Sequence, residues 1–275
     1  MNTDRTISDY LHRIGADRPA VPDAAALRDL QFRHLLAVPF ENLSVHRREE
    51  IVLEDAALVA KVVERRRGGF CYELNGAFAA LLRALGYPVT LLQARVFTGD
   101  GGLGIPYDHL TLLVETPDPD GTGSGRGVRR WLADVGFGNH CVRPLAFDER
   151  GDQRDPAGTF RLVETPEGDL DVLRDGKPQL RVDQRPRALA DFTAGSWYHR
   201  TSPDSPFTRS LVCSRNTPEG RITLSGGRLV TTVNGARHER ELDGDAEILA
   251  AYREHFGLDL DEVPQVMAGR TGERT

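Results

Sequence analysis

Cys71 stands where a cysteine can act as a nucleophile. It lies in the run Arg65-Arg66-Arg67-Gly68-Gly69-Phe70-Cys71-Tyr72-Glu73-Leu74-Asn75-Gly76, where a double glycine stops one helical pattern and another begins at once. Leu74, Ala77, Phe78, Leu81, Leu82 and Leu85 follow at helical spacing on one face. Cys71 falls three residues before Leu74, in the first turn of that helix and on its inward stripe. Backbone N–H groups there lack intrahelical partners and the helix dipole is positive, which favours a thiolate over a thiol. Burial as an inert packing residue is the competing reading, and the choice depends on finding a base.

His109 and Asp134 supply that base and its orienter. A thiol is a weak nucleophile until an imidazole takes its proton, and a carboxylate on the other ring nitrogen fixes the tautomer and steadies the imidazolium. His109 opens one strand-like run, His109 to Glu115, and Asp134 closes another, Val128 to Val135. The intervening Thr116 to Gly127 is rich in proline, glycine and aspartate and reads as a long turn. In an antiparallel hairpin the start of the first strand faces the end of the second, so the two side chains are expected to be neighbours, give or take one register step. Asp134 lies inside an apolar run and must find a polar partner.

The elements that position these groups divide by period. Residues 1–87 read as helical: Ser8 as cap of a first helix, Asp23 of a second closed before Pro39, a third from about Glu54 to Arg66, and the Cys71 helix ended by Gly86. Phe40-Glu41-Asn42-Leu43 reads as a connector. From Pro88 strands take over, with Val89 to Phe97, the two hairpin runs, Thr159 to Glu164, Leu170 to Arg174 and Gln179 to Val182, a barrel or sandwich pattern. Thr98 to Gly104 is a glycine-rich loop that lacks the G-K-[S/T] ending of a phosphate-cradling P-loop. A third section, 191–275, reads as strands at Trp197 to Arg200, Thr208 to Cys213, Arg221 to Leu224, Arg228 to Val233 and Ala236 to Leu242. A last helix follows, capped by Asp245 and ended by Gly257, and then a polar tail from Gly269 that is expected to be disordered. The fold class is α+β.

Composition narrows the rest. With 275 residues, 39% hydrophobic and 28% charged, the chain is an ordinary globular protein of one large or two to three small domains. A formal charge of −6 argues against a general nucleic-acid binder. No run of about 18 apolar residues indicates a membrane span. Cys71, Cys141 and Cys213 give neither metal-ligand spacing nor an even disulfide framework, so a reduced, cytoplasmic protein without metal is expected, with Cys141 and Cys213 as packing residues. Arg67 and Glu73 flank the cysteine and are expected to pair with each other, bracing the turn.

The run Arg67-Gly68-Gly69-Phe70-Cys71-Tyr72-Glu73-Leu74-Asn75 resembles the R-G-G-x-C-x-E-x-N motif of arylamine N-acetyltransferases. The resemblance continues, in the family's order, through Pro39 to Leu43, His109-Leu110, Asp134-Val135-Gly136-Phe137-Gly138, Thr201-Ser202-Pro203 and Phe207-Thr208, and fades after about residue 240. It implies a helical N-terminal domain (1–87), a β-barrel middle domain (88–190) and an α/β C-terminal lid (191–275). It also implies that Cys71, His109 and Asp134 match the family's catalytic triad. The activity implied is ping-pong transfer of an acetyl group from acetyl-CoA, through an acetyl-cysteine, to an arylamine or hydrazine. The coenzyme is then a substrate, not a bound cofactor. Phe40, Val96, Phe137 and Phe207 are implied to line the pocket, with the Gly99 to Gly104 loop approaching the pantetheine arm. Amide synthases of the same fold, which take an acyl chain from a carrier protein and need a wider cleft, are the alternative. A cysteine hydrolase and a non-catalytic binding protein are more distant ones. Oligomeric state is not legible.

Overall fold

The computed structural model describes residues 3–118, 121 and 127–266. It begins with α1 (Thr3–Ile14) and α2 (Ala24–Ala37), the latter capped as expected by Asp23, whose carboxylate accepts the Ala26 N–H. Ser8 is no cap: it lies within α1, its hydroxyl bonded to the Asp4 carbonyl, because the helix starts earlier. A two-residue strand β1 (Phe40–Glu41), a short α3 (Leu43–His46), α4 (Asp55–Val63) and α5 (Cys71–Ala84) follow. α4 stops short of the predicted Arg66, which takes a positive φ of 51° and turns the chain toward Cys71. The inward stripe of α5, Leu74, Ala77, Phe78, Leu81 and Leu82, is buried in one cluster with Ile7, Tyr10 and Leu11 of α1 and Leu58, Val59 and Val62 of α4.

The middle of the chain forms β2 (Val89–Val96), β3 (His109–Pro117), β4 (Val128–Ala133), β5 (Leu145–Ala146), β6 (Gln153–Asp155), β7 (Gly158–Glu164), β8 (Leu170–Arg174) and β9 (Lys177–Val182). They make an antiparallel sheet in the order β5-β4-β3-β2-β9-β8-β7-β6. Its two edges are joined by one side chain. The Gln153 carboxamide accepts the Ala146 N–H at 2.7 Å and donates to the Ala146 carbonyl at 3.0 Å, as a neighbouring strand would. The sheet is therefore a nearly closed barrel, with Leu92, Leu132, Phe160, Leu162, Val172 and Leu180 inside it. The opposite faces of β2, β3 and β4 carry Leu91, Leu110, Leu112, Val114, Trp131 and Ala133 into the helical core. Strands buried on both faces do not alternate apolar with polar. That is why Val89 to Phe97 reads as a nearly unbroken β-forming run.

A 3₁₀ turn (Leu189–Phe192) leads into α6 (Thr193–Thr201) and α7 (Pro206–Arg209), then β10 (Cys213–Thr217), β11 (Gly220–Ser225), β12 (Arg228–Val233), β13 (Ala236–Glu241) and α8 (Gly244–Phe256). Two predicted strands are corrected here. Trp197 to Arg200 is helical, and its buried neighbours Ser196 and His199 are three residues apart, the spacing of a helix face. Thr208 to Cys213 is broken by α7, which Ser205 caps and Pro206 opens. The expected connector at Phe40 is a strand: the second sheet runs β1-β10-β11-β12-β13, with Phe40 opposite Ser214. Asn234 and Gly235, both at positive φ, make the tight turn between β12 and β13. Asp243, not Asp245, precedes α8, and Gly257 ends it in the left-handed conformation. Gly269 to Thr275 lies outside the described residues, as does most of the Thr116 to Gly127 turn. Among the described residues no helix is long and apolar enough to cross a membrane.

Arg67 and Glu73 do not pair. Arg67 reaches Glu41 at 2.9 Å and Glu49 at 3.2 Å, while the buried Glu73 takes Lys61 of α4 and the Phe70 N–H. The turn at Arg66 sends the guanidinium toward β1 and leaves Glu73 facing α4. Burial is the larger influence on Glu73 and raises its pKa, with Lys61 opposing. Removing one partner of such a pair strands the other charge, whereas removing both is mild. Lys61→Met is therefore expected to lower unfolding free energy by about 3 kcal/mol, and Lys61→Met/Glu73→Leu to restore most of it, read from urea midpoints at constant slope.

Candidate active site

Cys71 is the first residue of α5 and its side chain is buried. Its Sγ lies 3.9 Å from the carbonyl oxygen of Asp108. His109 opens β3, and Asp134 immediately follows β4. The β3–β4 ladder closes with Leu112 opposite Ala133, which puts Asp134 beside Thr111. His109 is two residues further along β3, hence on the same face and diagonal to Asp134. His109 Nε2 and Asp134 Oδ2 are 2.6 Å apart, and the ring also hydrogen-bonds the Cys71 side chain. With Nε2 committed to the carboxylate, Nδ1 is the nitrogen left for the sulfur.

Asp134 is held on every side. Its Oδ1 accepts Asn75 Nδ2 at 3.0 Å and the Gly136 N–H at 2.8 Å, and its own N–H donates to Gln31 Oε1 at 3.2 Å. Asn75 Nδ2 also donates to the Leu110 carbonyl, and its Oδ1 accepts the Val135 N–H. Asn75 is one turn after Cys71, so a single helix face presents both the sulfur and the clamp on the carboxylate. Gly136 is required by close approach: a Cβ there would sit 2.7 Å from Cys71 Cα and 2.8 Å from Asn75 Nδ2. Burial works against both charges of the pair, yet each wins through the other. Burial alone would lower His109, but the Asp134 charge and hydrogen bond, with help from Cys71, raise it to about 10. Burial alone would raise Asp134, but His109 brings it down to about 2.

A cavity of about 340 Å³ opens on this pair. Cys71, His109 and the expected pocket residues Phe40, Val96, Gly104, Phe137 and Phe207 all line it, with Asp134 behind. The Phe40 and Phe207 rings are 6.0 Å apart, and the Phe137 ring meets His109 edge-on at 5.3 Å. The glycine-rich loop folds back on itself through a Phe97–Leu103 bridge, and the Gly104 N–H donates to the Val96 carbonyl.

The sequence reading misses a second, part-buried pair in the same wall. His199 Nε2 lies 2.9 Å from Asp108 Oδ1, and Nδ1 lies 3.1 Å from Ser205 Oγ. Asp108 Oδ2 accepts the Val96 N–H, and Tyr72 donates to the Tyr107 carbonyl at 2.7 Å. These bonds tie α6 and α7, which carry Phe207, to the strand that starts with His109. Cys141 and Cys213 are buried, and burial pushes their thiols well up, as befits packing residues. Among the described residues no cluster of three or more metal-ligating side chains occurs.

The shifts fix a pH signature. A lowered carboxylate stabilises the fold above its ordinary value of 3.8, and that contribution disappears as pH falls through about 2. A raised imidazole stabilises below its ordinary 6.5, and its contribution disappears as pH rises through about 10. The stability gap between the native chain and His109→Gln is thus widest from about pH 4 to 6.5 and closes toward pH 10. Thermal melts showing a constant gap from pH 5 to 10 contradict the pairing.

Comparison with known proteins places this geometry. A family model described as N-acetyltransferase matches residues 23–266. The arylamine N-acetyltransferase of Mycolicibacterium smegmatis is 33% identical over 273 residues, covering 96% of this chain and 94% of its own. That of Escherichia coli K12 is 33% identical over 264 residues, covering 93% and 90%. The solved Mycobacterium marinum arylamine N-acetyltransferase in complex with CoA is 30% identical, with a TM-score of 0.80 over 92% of this chain and 93% of that one. A cysteine at a helix start, an imidazole at a strand start and a carboxylate behind it thus sit in a chain that belongs to the arylamine N-acetyltransferase family, a family of transferases.

Proposed function

We propose that this chain transfers an acetyl group from acetyl-CoA to the nitrogen of an arylamine or hydrazine, in two half-reactions through an acetyl-Cys71. The observation that carries the reading is the buried chain from sulfur through His109 to Asp134 at the end of a small aromatic cavity. The names of the relatives and the CoA bound to the Mycobacterium marinum enzyme support the donor and acceptor classes. Cys71 thiolate attacks the thioester carbonyl, and the carbon–sulfur bond to the coenzyme breaks, its thiolate taking the proton from His109. The amine nitrogen then attacks the acetyl-cysteine, His109 accepts a proton from it, and Cys71 leaves as thiolate. Asp134 holds the imidazole in register and balances its charge throughout. Phe40, Phe137 and Phe207, with Val96 and Gly104, form the walls that keep water from the acyl-enzyme. The same reading divides the chain into a helical unit (1–87), a barrel unit (88–190) and a lid unit (191–275).

Mass spectrometry after mixing with acetyl-CoA tests this directly. One acetyl group should appear on Cys71 and be discharged by an arylamine such as anisidine. Charging without discharge by amine points to a hydrolase, and no charging to a carrier-protein donor, which the 340 Å³ cavity does not favour. Cys71→Ala should take up no acetyl group. Asp134→Asn should retain the fold and lose on the order of 10³- to 10⁴-fold in turnover, since the imidazole then adopts the wrong tautomer.

A further inference from the structure

The cavity over Cys71 carries charge that the transfer chemistry does not use. Of the described residues that line it, Asp108 and Asp204 are acidic and none is a lysine or arginine. Arg95, next to the lining Val96, does not join them: its guanidinium donates to the Gly104 carbonyl at 2.7 Å and the Leu103 carbonyl at 3.4 Å. The positive charge of His109 is matched by Asp134 behind it. Once Cys71 is acylated its sulfur holds no charge. The wall that meets the acceptor then carries two carboxylates with no lysine or arginine to balance them.

Asp108 is the better placed of the two. Its Oδ2 accepts the Val96 N–H at 3.0 Å and its Oδ1 lies 2.9 Å from His199 Nε2, a ring that Ser205 Oγ meets at 3.1 Å on the other nitrogen. Its carbonyl accepts the Tyr72 hydroxyl at 3.1 Å and lies 3.9 Å from Cys71 Sγ. The carboxylate thus belongs to the residue that approaches the sulfur and directly precedes the catalytic imidazole. These bonds fill two of its roughly four acceptor sites. With 12% of the side chain exposed, the rest can be reached from the cavity. Gly104 keeps it so, because a Cβ on that lining residue would overlap Asp108 Oδ2.

A carboxylate on a bound molecule would meet Asp108 with like charge and lose its hydration without gaining a lysine or arginine partner. An N–H or O–H would meet an acceptor with capacity to spare. We infer that Asp108, aided by the exposed Asp204, makes this cavity select acceptors by charge. Arylamines and hydrazines that are neutral, or that carry a second hydrogen-bond donor, are taken, and those bearing a carboxylate are turned away. As a statement about acceptors this rests on the proposed function, but the charge at the cavity is measurable without turnover.

Two reagents that alkylate Cys71 give that measurement, followed on this residue by mass spectrometry of the full chain. Iodoacetamide is neutral and iodoacetate is an anion of nearly the same size. The ratio of their rates therefore reports the charge around the sulfur and cancels any change in its reactivity. At low ionic strength Asp108→Asn should speed iodoacetate relative to iodoacetamide by about fivefold, and Asp204→Asn by about twofold, the latter effect being the first to fade with salt. The acceptor preference needs no variant. With acetyl-CoA as donor, kcat/KM for methyl 4-aminobenzoate should exceed that for 4-aminobenzoate by about tenfold, although the ester withdraws electrons and makes its amine the weaker nucleophile. A rate ratio that Asp108→Asn leaves unmoved overturns the inference, as does an unaltered chain that acetylates the two amines equally or prefers the acid. An alkylation ratio that answers to Asp108, in a chain that acetylates neither amine, would instead sink the acyl transfer and leave the charged wall standing.

Discussion

The structure depends on keeping one carboxylate charged where water does not reach it. An isolated ionised carboxyl in an apolar interior either neutralises or unfolds its surroundings. Asp134 does neither, because its oxygens and its backbone are satisfied by four separate parts of the chain: His109 of β3, Asn75 of α5, Gln31 of α2 and the Gly136 amide. Each of these bonds is also a positional constraint. Satisfying the charge therefore fixes where α5 stands relative to the β3–β4 hairpin, and with α5 comes Cys71. The position of the Cys71 sulfur and the solvation of the carboxylate are one problem with one solution.

Apolar packing makes that solution rigid. Because β2, β3 and β4 are buried on both faces, they belong to the barrel interior and to the helical core at once. The imidazole and the sulfur ride on elements whose relative position is set by close-packed side chains, not by loops. The Gly136 backbone, pressed against the first turn of α5, leaves no room for adjustment between them. Preorganisation of this kind is what lets a weak base and a weak acid act as a unit.

Sequence patterning carried the helix and the hairpin because each was fixed by a local rule. Helical spacing put Cys71 on the buried stripe of α5, and the alternation of side chains along an antiparallel ladder put His109 and Asp134 on one face, though two residues out of direct opposition. What local rules do not determine is which of several charged groups meet. Arg67 and Glu73 are close in sequence, yet the positive φ at Arg66 sends one toward β1 and the other toward α4. His199 was hidden inside Trp197 to Arg200, whose aromatic content imitates a strand. Only the exposure of Trp197, 64%, against the burial of His199 reveals the helix.

The cavity at Cys71 lies over polar groups that are already partnered inside the protein. The positive His109 imidazole is matched by Asp134 inside the protein, and in the same wall the His199 ring hydrogen-bonds Asp108 and Ser205, so the aromatic rings cover polar groups that already have partners. Groups satisfied in this way hold their positions whatever molecule occupies the cavity.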